Sequence, residues 1–144
     1  MDREQLNRTV NACRDLIEHR FPGDEERGAA AMLLADGTVL TGTAPDAVNP
    51  AVEVCHEIEP YAAAFRLEQE IVASVCLHRE EAGRFLVLSP CGVCRERLAV
   101  HGPDVLVGVA GRGDPTQVTW KPLHEVLPDY WMTVFPGEIS SRWQ

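Results

Sequence analysis

The sequence predicts an α/β protein, a three-layer α/β/α sandwich around a mixed sheet of about five strands, with residues 1–144 forming one domain. Three observations carry that expectation. Apolar positions switch between helical and strand periods along the chain, in the order αββαβ(β)αββα. The length, 144 residues, is about one domain's worth. The composition, 45% hydrophobic and 24% charged, is that of an ordinary globular chain, and no repeat, linker or low-complexity segment interrupts it.

Taken in order, Leu6, Val10, Cys13, Leu16 and Ile17 recur at three- and four-residue steps, which predicts an amphipathic helix ending near Phe21-Pro22-Gly23. An acidic turn, Asp24-Glu25-Glu26, follows and is read as solvated. The apolar runs Ala29 to Leu34 and Val39 to Thr43 flank Asp36-Gly37, a hairpin dipeptide, and read as two antiparallel strands. After a loop marked by Pro45, Asn49 and Pro50, a helical pattern containing Ile58, Ala62, Phe65 and Leu67 runs from Cys55 to about Glu70. Pro60 falls inside it and predicts an irregular or kinked first turn, because proline lacks a backbone donor.

Ile71 to Leu77 and Phe85 to Leu88 are short apolar runs separated by a charged turn, and both read as buried strands. Cys91 to His101 reads as a helix stopped by Gly102-Pro103, then Val105 to Val109 as a strand and Gly111 to Pro115 as a turn. Val118 to Trp120 is expected as an edge strand, with a last helix starting at Leu123.

Thirteen Lys+Arg against 22 Asp+Glu give a formal net charge of −9. A chain gripping nucleic-acid phosphates would work against that field, so nucleic acid is not expected as a partner. The N-terminal MDREQLNRTV lacks the apolar stretch of a secretory segment, and no apolar run reaches the roughly 18 residues a membrane span needs. A cytoplasmic protein is therefore expected, in which clustered cysteines bind metal or react more often than they form disulfides. There are five cysteines.

Three of these carry the chemistry. Cys55-His56-Glu57 opens one predicted helix, and Ser89-Pro90-Cys91-Gly92-Val93-Cys94 opens another, 36 residues later. Cysteines three apart at a helix start can point at one ion, and the helix N-terminus favours thiolate over thiol. A third thiolate from Cys55 leaves the fourth position of a zinc ion open, which in zinc sites goes with catalysis, because the metal then lowers the pKa of a bound water toward neutrality. Glu57 is placed to take that water's proton and hand it on. A lone CxxC is equally a half zinc ribbon or a pair of core cysteines. Ligand-x-Glu followed by PCxxC, however, is the pattern of zinc deaminases with His/Cys/Cys or Cys₃ ligation and a glutamate proton shuttle.

On these residues the chain resembles the zinc-dependent cytidine deaminase family, including its blasticidin S deaminase branch. The likeness takes in Gly28-Ala29-Ala30 entering the first strand, Asp36-Gly37, Thr41-Gly42, both cysteine motifs, and Leu123-His124-Glu125-Val126-Leu127-Pro128, which looks like the family's ELLP segment. The resemblance implies one Zn²⁺ per subunit on Cys55, Cys91 and Cys94, with Glu57 as proton shuttle. It implies hydrolytic deamination of a free cytosine nucleoside or related aminopyrimidine: zinc hydroxide attacks the ring carbon bearing the amine, and ammonia departs. It also implies a homo-oligomer, tetramer or dimer, with sites completed by neighbouring subunits. A blasticidin S-type or modified-cytosine substrate is the alternative within the class. A structural zinc protein without catalysis, and a nucleic-acid editor of the same superfamily, are the alternatives outside it.

The departures bear on substrate. Where the family carries a ribose-holding Asn-x-Glu, this chain has Ala44-Pro45-Asp46, leaving Asp46 to accept a ribose hydroxyl. Glu26-Arg27 stand ahead of Gly28 in place of a Phe-Pro that packs on the base. The Arg that often follows the catalytic glutamate is Ile58, so Arg95 or Arg97 is left to offset the −1 sum of three thiolates and a dication. His56 either contacts substrate or packs outward. Trp131 matches the aromatic that packs over the base in the family, or is a core or interface tryptophan. Cys13 and Cys76, on apolar faces, read as core. His19, His78, His101 and His124 read as surface or helix-end residues.

Overall fold

A computed structural model describes residues 2–143. Helix α1 spans Arg3–Arg20, begun by the Asp2 side chain, which accepts the Gln5 N–H at 2.8 Å, an aspartate cap of the usual kind. Its inward stripe carries Cys13 and Ile17, both fully buried. Strands β1 (Arg27–Leu34) and β2 (Val39–Gly42) form an antiparallel hairpin. Gly37 takes the positive φ of +90° that the turn requires, and Asp36 Oδ1 accepts the Thr38 N–H at 2.9 Å.

Helix α2 (Ile58–Arg66) is followed by the β3–β4 hairpin (Ile71–Arg79 and Phe85–Leu88) and by α3 (Gly92–Leu98), which tightens into a 3₁₀ turn at Ala99–His101. Strands β5 (Leu106–Gly111) and β6 (Asp114–Pro122), the four-residue α4 (Leu123–Val126) and two short 3₁₀ turns, Trp131–Val134 and Ser141–Trp143, complete the order.

The sheet runs β2-β1-β3-β5-β6, with β4 also paired to β3. It is mixed: β3 and β5 are parallel, with Ala73 opposite Leu106 and Ser74 opposite Val107, and the other pairs are antiparallel. The two halves of β3 thus have different neighbours, β5 beside Ala73-Ser74 and β4 beside Cys76 to Arg79. Between Leu33 and Leu34 the β1–β3 register steps from Ala73 to Ile71, so Val72 is the extra residue of a bulge.

That bulge reverses the facing of β3. Val75 and Leu77, with Ala29 and Ala31 of β1, pack under Cys13 and Ile17 of α1. Ile71, with Met32 and Leu34, packs on the other face against Ala64 of α2, Leu98 of α3 and Leu123 of α4. Each fully buried aliphatic side chain contributes about 1.5–3 kcal/mol, and both faces of β1 are filled, which fixes it as an interior strand. Three layers result, α1 on one side and the remaining helices on the other.

The C-terminal segment seals the second face. The Trp143 ring lies 4.8 Å from Tyr130, and its Nε1–H donates to Ala99 O at 3.0 Å. At the opposite end, the buried Arg79 guanidinium donates to Phe21 O (2.7 Å) and Glu25 O (2.9 Å), anchoring the acidic segment between α1 and β1.

Several element bounds differ from the sequence expectation. Six strands form the sheet, one beyond the approximate five. The helix expected from Cys55 to about Glu70 is shorter, because Cys55-His56-Glu57 forms a turn and the helix proper begins at Ile58. Pro60 is consequently its third residue, where a backbone donor has no intrahelical acceptor, and no kink is needed. The helix read as Cys91 to His101 is α-helical only to Leu98. Of β4, only Val87 is buried. The expected turn at Gly111 to Pro115 narrows to Arg112-Gly113, since Asp114 and Pro115 already belong to β6, an edge strand as expected, where a proline is tolerated.

Candidate metal centre and active site

The helix-side face of the sheet brings together what the sequence keeps 36 residues apart. Cys55 enters a turn closed by the Ile58 N–H on Cys55 O at 3.1 Å. Cys91 immediately precedes α3, and its carbonyl accepts the Arg95 N–H at 2.9 Å to close the first turn. Cys94, the third residue of α3, is buried. The three Sγ atoms all lie within 4.8 Å of one another, with Cys55 and Cys91 only 3.4 Å apart.

Around one zinc ion at about 2.3 Å per sulfur, tetrahedral geometry sets sulfurs roughly 3.8 Å apart, so this trio fits such an ion with little movement. A set of three cysteine sulfurs is soft, which suits zinc over magnesium or calcium. The environment also splits the thiols. Partial burial pulls Cys91 up, but the backbone N–H of Cys94, the thiols of Cys55 and Cys94 and the backbone N–H of Val93 outweigh it, so Cys91 lies below the ordinary thiol range. Burial first and the hydrogen bond with Cys91 next hold Cys55 above it. Burial, then the Glu57 carboxylate, raise Cys94. A dication reverses these upward shifts by rewarding each thiolate.

Glu57 is the residue preceding α2 and is 7% exposed. Its charge raises the thiols of Cys94, Cys55 and Cys76, and that of Cys13 as well. Cys76, opposite Ala30 on β3, is buried and its thiol is pushed up, by burial first and Glu57 next. Cys13, on the α1 side, is pushed up to about 12, by burial before all else, and donates to Ala29 O at 3.2 Å. Both thus remain core thiols.

The other residues singled out from sequence fall in three places. His56 points inward, with Nδ1 accepting the Ala44 N–H at 2.9 Å, and burial lowers its pKa. Asp46 is exposed and engaged by Arg27 through both oxygens, at 3.1 and 3.2 Å. Arg27 also donates to Glu25 Oε1 at 2.8 Å and lies 4.9 Å from the Phe21 ring. Trp131 is 59% exposed, and its Nε1–H donates to Glu96 Oε1 at 3.3 Å on α3, alongside the Tyr130 hydroxyl. Its ring also stands edge-on to Tyr130 and Phe135, at centroid distances of 6.2 and 6.4 Å.

Of the two arginines left open by the sequence, Arg97 donates to Cys94 Sγ at 3.9 Å. Arg95 turns away, to Pro90 O and Val126 O, both at 2.7 Å. The spacing held the clue, since Arg97 stands three residues beyond Cys94 on the same helical face. His101 also has a role the sequence did not show: its Nδ1 accepts the Ile71 N–H at 3.1 Å.

Among the described residues no helix is long and apolar enough to cross a membrane. No family model and no curated protein matches the chain. Solved structures do. The cytidine deaminase from Bacillus anthracis is 35% identical, with a TM-score of 0.86, over 95% of this chain and 96% of that one. A point mutant of the cytidine deaminase from Mycobacterium tuberculosis is 27% identical, with a TM-score of 0.67, over 86% and 92%. The cytidine deaminase from Mycobacterium leprae, 22% identical with a TM-score of 0.64, shares the fold. With a likeness to the Bacillus anthracis enzyme that runs nearly the full length of both chains, this protein belongs to the cytidine deaminase family.

Proposed function

We propose that the protein is a cytoplasmic, zinc-dependent hydrolytic deaminase that converts a free cytosine nucleoside, or a related aminopyrimidine, into the corresponding oxo compound and ammonia. One observation carries the reading: three cysteine sulfurs within 4.8 Å of one another, with the buried Glu57 two residues after Cys55, in a chain 35% identical to a cytidine deaminase. Cys55, Cys91 and Cys94 hold one Zn²⁺ per subunit. When bound, zinc supplies a water acidified toward neutral pH and leaves a fourth position open to it.

Glu57 performs the proton transfers. Its carboxylate sits in the turn next to one ligand, screened from bulk water, and takes a proton from the water, then gives protons to the ring nitrogen and the departing amine. Such a shuttle contributes typically 10²- to 10⁴-fold in rate. Asp46 borders the substrate segment and retains lone pairs for a sugar hydroxyl beside its contacts with Arg27. The exposed apolar side chains of Phe65, Val93, Trp131, Val134 and Phe135 support a homo-oligomer, dimer or tetramer, in which Trp131 meets a neighbouring subunit's substrate.

The test is an ultraviolet screen of zinc-loaded protein against cytidine, deoxycytidine, blasticidin S and modified cytosines, with Glu57→Gln as control. Turnover of at least one compound is expected, with Glu57→Gln retaining zinc and losing ammonia release by about 10²-fold or more. Retained turnover in Glu57→Gln overturns the mechanism.

A further inference from the structure

Strand β2 ends at Gly42, where it parts from β1. The pair's register sets Ala30 opposite Gly42, and carrying it two residues further would set Ala44 opposite Gly28. That pairing is replaced by two side chains. Thr43 Oγ1 donates to Gly28 O at 2.6 Å, and the Ala44 N–H donates to His56 Nδ1 at 2.9 Å. The imidazole stands between the parting segments.

It fits because residue 28 has no side chain. A Cβ on Gly28 would lie 2.5 Å from His56 Nε2 and 2.9 Å from Cδ2, closer than any carbon tolerates, so the ring fills the space a side chain there would take. Thr43 Oγ1 is 3.5 Å from Nδ1, but its one proton is committed to Gly28 O. An Nδ1 that accepts from a backbone N–H carries no proton, so the ring is neutral with its hydrogen on Nε2. His56 is also flanked by Cys55 and Glu57, in a turn pinned by the Ile58 N–H.

We propose that His56 is a positioning residue, a wedge seated in the Gly28 notch that holds the segment after β2 away from β1 and so sets the opening beside Cys55 and Glu57. This rests on the deaminase reading for its functional consequence only. With the ring gone, the Ala44 N–H loses its acceptor, the notch beside Gly28 empties, and the segment leading to Asp46 is no longer held in place beside Glu57. Substrate binding suffers before chemistry does. The pattern shows Cys-His-Glu in the sequence, but only the structure shows that the histidine reaches the strand and not the solvent.

The experiment compares His56→Ala, His56→Asn, His56→Gln and Gly28→Ala in the zinc-loaded full chain. Asparagine keeps an acceptor at the distance of Nδ1 from the backbone, while glutamine carries its amide one atom further out. The readouts are hydrogen exchange at the Ala44 amide, bound zinc, and KM and kcat resolved separately. In His56→Ala and Gly28→Ala, Ala44 exchange is expected to rise about tenfold, and KM to rise about tenfold with kcat within threefold, at unchanged zinc content. His56→Asn restores slow exchange and low KM, and the double variant G28A/H56A is no worse than either single one.

Exchange at Ala44 unchanged in His56→Ala overturns the proposal, as does rescue by glutamine instead of asparagine, which would make Nε2 a substrate contact. Ring ¹⁵N shifts of the unaltered protein test the same point without any substitution, and a proton on Nδ1 overturns it. If no screened compound is turned over, the functional reading fails while exchange, zinc content and ring tautomer still decide the role of His56.

Discussion

Arg97 lays its guanidinium on the sulfur of Cys94, Nη1 to Sγ at 3.9 Å, in a chain where Ile58 follows the buried glutamate. The neighbouring Arg95 is spent on structure, clamping Pro90 O to Val126 O. With a dication bound, three thiolates would sum to −1, and the half-buried Arg97 cation against one of the sulfurs would offset that charge.

Arg97→Ala is therefore expected to weaken zinc retention by about tenfold or more, with Arg97→Lys intermediate. Arg95→Ala is expected to lower thermal stability, because two carbonyls lose a charged donor, with a smaller effect on zinc affinity. Competition with a chromophoric zinc chelator separates the two.

Removal of the metal is expected to lower the melting temperature. An ion held by Cys55, Cys91 and Cys94 would bind their folded arrangement far better than the open chain. At free zinc about 1,000-fold above Kd the linkage is worth about 4 kcal/mol, or roughly 10 °C for a chain of this size. Differential scanning calorimetry with and without a strong chelator checks it, and Cys91→Ser should melt at the chelated temperature in both.

His101 makes stability depend on mild acid. Burial, ahead of the weaker influences of Glu70 and Arg142, holds the imidazole below its ordinary pKa of about 6.5, and its unprotonated Nδ1 accepts the Ile71 N–H. A depressed folded value means that the contribution is fully present above about pH 6.5 and is lost as pH falls through the folded pKa. Urea midpoints between pH 7.5 and 5 should fall less steeply in His101→Asn than in the unaltered chain.

Trp143→Ala is expected to cost about 3–5 kcal/mol, since the ring is buried against Tyr130 near the end of the chain. Trp143→Phe keeps most of the packing but strands Ala99 O, and should cost about 1–3 kcal/mol. Urea unfolding at unchanged slope measures both.

Helix α1 and the Asp36-Gly37 hairpin were legible because their apolar period and turn chemistry are local. The cysteine trio was legible from spacing, and the structure places the three sulfurs together. What stayed hidden depends on partners distant in sequence. The turn at Cys55 to Glu57 shares the helical pattern of its surroundings, so the later start of α2, and with it the harmless place of Pro60, could not be read off. Asp114 and Pro115 look like turn residues, but at a sheet edge a strand accommodates them. The inward course of His56 is set by the missing Cβ of Gly28, 28 positions earlier, a relation no local period encodes.

The divided neighbours of β3 bear on the order of assembly. Cys55 lies on the stretch leading out of the β1–β2 hairpin, whereas Cys91 and Cys94 lie on the crossover that carries the chain from β4 to the parallel strand β5. The sulfurs meet only once β3 is docked between β1 and β5, a long-range closure of the kind that slows folding. Metal capture is then expected late, downstream of the rate-limiting barrier. Zinc should leave the refolding rate nearly untouched and act almost wholly by slowing unfolding, so that the ion confers persistence on the native chain without hastening its birth.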